Sequence, residues 1–128
     1  MARVLALVPD LMFGSRLRSA LESAGDELQL VAAEPPLRAR LADESLPAPE
    51  VVIVDLTDDQ LDGAGVVESL LAAGLLGGAR TLGFYSHVDA PARERAEQAG
   101  IELVVPRSRM AREAPALLER LAASARDA

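Results

Sequence analysis

Asp55 closes the apolar run Val51 to Leu56 (VVIVDL), and Asp58, Asp59 and Asp62 follow it within eight residues. A carboxylate at the end of a buried strand can ligate a hard cation through oxygen, or it can simply start a loop. Asp10 stands in the same relation to the first apolar run and reads as a helix N-cap. What the chain lacks narrows the chemistry. It has no cysteine, which excludes disulfides, thiolate catalysis and Cys-ligated zinc, and its single histidine, His87, excludes paired-histidine metal motifs. All 13 basic residues are arginine, so neither Schiff-base chemistry nor a P-loop lysine is available. Any metal site must be built from oxygens.

Other candidate motifs resolve quickly. The glycine-rich GGARTLGF precedes a strand, whereas phosphate loops follow a strand and open a helix. The carboxylates at 55, 58, 59 and 62 lack EF-hand spacing. His87 reads as an exposed loop histidine or a pH-sensitive contact, and Ser86 as a turn hydroxyl. The stretch Pro106-Arg107-Ser108-Arg109-Met110-Ala111-Arg112 is the one dense basic patch. It is either a solvated helix start or a docking face, arginine and methionine being enriched at interfaces.

The elements that position these residues follow from hydrophobic periodicity. Apolar runs at Val4–Val8, Leu28–Ala32, Val51–Leu56, Thr81–Tyr85 and Leu103–Val105 read as strands. The first and third lack polar alternation, as parallel strands covered on both faces do. Helical stripes lie between them: Phe13, Leu17, Ala20, Leu21 and Ala24; a short helix around Leu37–Leu41 framed by prolines; Val66, Val67, Leu70, Leu71 and Gly74; and alanines 92, 96 and 99 behind an Asp89 cap. The last stripe, Ala114, Leu117, Leu118 and Leu121, requires Pro115 near the helix start. Strict alternation predicts an α/β fold: a doubly wound five-stranded parallel sheet of order 2-1-3-4-5, in a flavodoxin-like (βα)5 three-layer sandwich. The ligand crevice of such a sheet lies at the carboxyl ends of strands one and three, where Asp10 and Asp55 fall.

The 128 residues, half of them apolar, suit one domain over 1–128. A net charge of −7 argues against a nucleic-acid partner. No apolar run approaches the roughly 20 residues of a membrane span, and MARVLALVPD is too short for a signal peptide. The expectation is a cytoplasmic protein with no membrane contact.

Over residues 3 to about 123 the sequence resembles the receiver domain of bacterial response regulators, the CheY-like family. The spacing carries the resemblance: Asp55 at the phospho-acceptor position, Asp62-Gly63 after it in DLTDDQLDG, Ala99-Gly100 before the fifth strand, and Arg107 where receivers carry a lysine. Ser86, or Tyr85 one residue earlier, takes the Ser/Thr position that contacts the phosphoryl group with Arg107. The resemblance implies an aspartate that accepts a phosphoryl group from a phosphohistidine of a sensor kinase. It also implies a magnesium site of Asp10, Asp55 and the Thr57 carbonyl.

Three departures stand in that crevice. Pro9-Asp10 replaces an acidic pair, so magnesium binding is expected to be weak or lost unless Asp58 or Asp59 reaches in. Arg107 replaces the lysine by a planar fork, which is not a conservative exchange and offers Asp55 a bidentate partner instead. Val104 stands where receivers carry a movable aromatic ring. The expected function is therefore a stand-alone, non-enzymatic pseudo-receiver in signal transduction. It would bind a protein partner or a second copy of itself through Arg107, Arg109, Met110 and Arg112, with phosphorylation at Asp55 weakened or lost. The alternatives are a phosphorylatable single-domain regulator of a phosphorelay and a flavodoxin-like nucleotide- or cofactor-binding module.

Overall fold

The computed structural model describes residues 1–58, 60–86 and 90–127, the last three without their side chains. Asp59, His87 and Asp89 lie outside the described residues. Five parallel strands, β1 (Arg3–Leu7), β2 (Glu27–Val31), β3 (Val51–Asp55), β4 (Arg80–Tyr85) and β5 (Leu103–Pro106), form one sheet in the order β2-β1-β3-β4-β5. Helices α1 (Leu11–Ser23), α2 (Glu34–Ala42), α3 (Gly63–Ala72), α4 (Ala90–Gln98) and α5 (Arg107–Asp127) follow the strands in turn. The doubly wound architecture is the one predicted.

The pleat sends alternate residues to opposite faces, and both faces are covered. Val4, Ala6, Val51, Ile53, Leu82 and Phe84 pack with Phe13, Leu17 and Leu21 of α1 and with Leu117 and Leu118 of α5. Leu5, Leu7, Val52 and Val54 pack with Leu37 of α2, Val66, Val67 and Leu70 of α3, and Ala96 of α4. All five residues of β3 are buried, Asp55 included, because this strand is central and has helices on both sides.

Several elements differ from the sequence expectation. Pro35 and Pro36 lie inside the first turn of α2 rather than framing the helix, since amides there have no intrahelical acceptor to lose. Helix α5 begins directly after Pro106, which puts Pro115 in its interior. There it deprives the Ala111 carbonyl of its usual donor, a cost the buried stripe of the helix offsets. Of the alanine stripe at 92, 96 and 99, Ala96 and Ala99 are buried, and Ala99 lies just past the end of α4. Leu71 is half exposed and lies over Gly100, whose backbone has φ of +100° and whose missing Cβ would fall 2.5 Å from the Leu71 Cδ1. Among the described residues no helix is long and apolar enough to cross a membrane.

Candidate functional site

The order of the sheet reverses between β1 and β3; Asp10 lies in the loop leaving β1, and Asp55 is the last residue of β3. Asp10 caps α1: its Oδ1 accepts hydrogen bonds from the amides of Met12 at 3.0 Å and Phe13 at 3.1 Å. Its Oδ2 accepts from Nη2 of Arg107 at 2.7 Å. The Phe13 amide, and after it the Arg107 guanidinium, hold the Asp10 carboxyl below the usual carboxylate range.

Arg107 reaches this position because it is the first residue of α5, directly beyond the end of β5. Its guanidinium carbon sits 4.4 Å from the centre of the Phe13 ring, and that ring lies 4.8 Å from the ring of Phe84 on β4. A cation over an aromatic face is attracted by the ring quadrupole, so Phe13 seats the fork while Asp10 orients it. The chain has two phenylalanines, and both are used in this stack. The expected bidentate pairing of Arg107 with Asp55 is not formed. Arg107 meets Asp10, which offers a free oxygen at a helix N-terminus beside a π face.

Asp55 is 2% exposed. Its Oδ1 accepts from both the amide and the hydroxyl of Thr57, at 2.7 and 2.6 Å. An aspartate bonding its own chain two residues on is a local turn device, and the D-x-T spacing is the signal in the sequence that could have found it. The other loop acids also serve the backbone: Asp58 accepts from the Gln60 amide, and Asp62 caps α3 through the Gly65 amide. Gly63 is required because a Cβ there would lie 2.7 Å from Val54 Cγ1 and 2.8 Å from the Asp55 carbonyl oxygen. The Asp62-Gly63 pair thus brings α3 close against the end of β3.

Among the described residues the donor set does not assemble the near-octahedral oxygen coordination that magnesium asks for. Both oxygens of Asp10 are engaged, one oxygen of Asp55 is engaged twice, and Asp58 is turned to its own loop. Among the described residues no group of three or more His, Cys, Asp or Glu is arranged to hold a metal ion.

The remaining candidates are dispersed. Ser86 is exposed at the end of β4 and makes no hydrogen bond with a described residue. Tyr85 is half-buried on the opposite face of β4 from Phe84. It lines a cleft of about 370 Å³ between α3 and α4 together with Leu56, Asp58, Ala96 and Val104. On α5, Arg109 pairs with Glu113 at 3.3 Å, while the Arg112 side chain is 73% exposed. Met110 does not belong to that surface. It is completely buried, four residues before Ala114 on the face that α5 turns to the sheet.

No protein-family model matches the sequence, and no curated protein sequence matches it. Solved structures do. A CheY-like response regulator receiver domain protein from Methanospirillum hungatei superposes with a TM-score of 0.84 at 15% identity, covering 99% of this chain and 98% of that one. A response regulator from Thermotoga maritima gives 0.80 at 12% identity, covering 96% and 98%. The phosphorylated cyanobacterial phytochrome response regulator RcpA gives 0.78 at 12% identity, covering 92% and 91%. The chain has the CheY-like receiver fold.

Proposed function

We propose that the chain is a pseudo-receiver, a receiver-like signalling domain that works by binding other proteins and accepts a phosphoryl group at Asp55 weakly or not at all. The observation that carries this reading is the Asp10–Arg107 ion pair. A phosphoryl group on Asp55 would add negative charge at the end of the sheet that also carries Asp10, and Arg107 is the cation that the receiver resemblance assigns to it. Its fork is already engaged by Asp10 and seated on Phe13. Recruiting it would break a charge-assisted bond and lift the guanidinium from the Phe13 ring. Asp10, the acid that would share a compensating divalent ion with Asp55, has its Oδ1 on the helix cap and its Oδ2 on Arg107.

On this reading the domain is not an enzyme and acts in the cytoplasm. Its partner is a protein, either a sensor kinase or a second copy, that meets the outer face of α5 through Arg109 and Arg112. The net charge of −7 disfavours nucleic acid. The test is incubation with acetyl phosphate and a magnesium salt, read by intact mass. At most slow, far sub-stoichiometric labelling is expected. Stoichiometric acyl phosphate at Asp55 would overturn the proposal in favour of a phosphorylatable regulator.

A further inference from the structure

Asp55 is the one charged residue buried in the core among those described, and the hydrogen bonds to its side chain come from the residue two positions on. Oδ1 receives two short hydrogen bonds from a single residue, from the amide of Thr57 at 2.7 Å and from its hydroxyl at 2.6 Å. Oδ2 receives none from any described residue. The two oxygens of this carboxylate are therefore inequivalent, and Thr57 makes them so.

We propose that Thr57 is a positioning residue that restrains Asp55: its two-bond clamp withdraws Oδ1 from reaction and fixes the direction in which Oδ2 points. The inference deepens the reading of Asp55 as a suppressed acceptor and rests on it. Hydrogen bonds to an ionised carboxylate are stronger than neutral ones, and each occupies a lone pair that must be released before that oxygen can attack. The clamp also holds the carboxylate in one orientation, so it cannot turn to meet an electrophile from another side. A threonine does this where an apolar residue would not. The amide bond is available to any residue at 57, but the 2.6 Å bond needs the hydroxyl.

The step being restrained is a simple displacement. A carboxylate oxygen of Asp55 attacks the phosphorus of an acyl phosphate such as acetyl phosphate. The new oxygen–phosphorus bond forms as the phosphorus–oxygen bond to the acetyl group breaks, and acetate leaves with the bonding pair. No proton or redox partner is needed.

The experiment compares the wild type with Thr57→Val, Thr57→Ala and Thr57→Ser, each incubated with acetyl phosphate with and without a magnesium salt. Labelling is followed by intact mass, and thermal melting is recorded beside it. Thr57→Val and Thr57→Ala are expected to label about tenfold faster than wild type, the scale of losing one charge-assisted hydrogen bond. Thr57→Ser, which keeps the hydroxyl, should track the wild type, and melting temperatures should stay within a few degrees. Wild-type rates in both Val and Ala variants, or no labelling in any of the four proteins, would overturn the clamp. So would a Ser variant as fast as Val. Rapid stoichiometric labelling of the wild type would instead overturn the proposed function, and the ratio of the Val to the wild-type rate would still decide the role of Thr57.

Discussion

Oδ2 of Asp10 and Nη2 of Arg107 lie 2.7 Å apart, although 97 residues separate them along the chain. The pair ties the start of α1 to the start of α5 across the top of the sheet. Asp10 divides its two oxygens between two tasks, the helix cap and the ion pair. A single aspartate therefore satisfies both neighbours, and a metal ion would have to share Oδ2 with the guanidinium.

Asp10→Asn separates these tasks, because asparagine caps helices about as well but carries no charge. The folded Asp10 has its pKa lowered from the ordinary 3.8. Its charged form thus contributes stability that is fully present above 3.8 and is lost as pH falls through the lowered folded value. The wild type should melt above Asp10→Asn at neutral pH, by a gap that holds down to about pH 4–5 and closes below it. Melting curves of both proteins from pH 7 to pH 3 check this.

Gly63→Ala should destabilise the domain by about 1–3 kcal/mol, since the new methyl group meets Val54 and the Asp55 carbonyl at under 3 Å. Urea unfolding of the variant measures the loss. An unchanged midpoint would mean that α3 can draw back from β3 without cost.

Val104→Phe should be tolerated, with a change in stability under about 1.5 kcal/mol. Val104 belongs to the buried cluster on that face of the sheet but also borders the cleft of about 370 Å³ between α3 and α4, into which a ring can extend. Thermal melting is the measurement, and a large loss would contradict this view of the cleft.

Met110 and Arg112 are near neighbours in sequence and should behave oppositely. Met110→Ala removes a fully buried side chain and should cost about 2–5 kcal/mol. Arg112→Glu alters a 73% exposed side chain and should leave stability within about 0.5 kcal/mol of wild type. If the outer face of α5 is the docking surface, Arg109→Glu combined with Arg112→Glu weakens partner capture or self-association while the fold persists. Chemical denaturation and sedimentation read the two effects separately.

The sheet order was legible because each apolar run is followed by a stripe of helical period, and 2-1-3-4-5 is a common order for a five-stranded sheet built by that alternation. Asp10 as a cap and Asp55 at a strand end were legible for the same reason, since both positions are set by local sequence. The partners of these acids were not. Whether Arg107 meets Asp10 or Asp55 depends on where the ring of Phe13 lies once α1 and α5 are packed, and periodicity carries no such information. Met110 was misread for a specific cause. Placing Pro115 near the helix start pushed the helix boundary too far along the chain. With the helix starting at Arg107, the spacing of Met110, Ala114, Leu117 and Leu118 assigns Met110 to the buried face at once.

The junction between β5 and α5 has no connecting loop: Pro106 ends the strand and Arg107 begins the helix. The Cα of Arg107 is thus bolted between two packed elements, and its guanidinium can explore only the arc swept by its own side-chain torsions. An incoming anion cannot draw the backbone toward itself at this point. It must either outbid Asp10 for the fork where the fork already rests, or shift a helix rooted in the core by Ala114, Leu117 and Leu118.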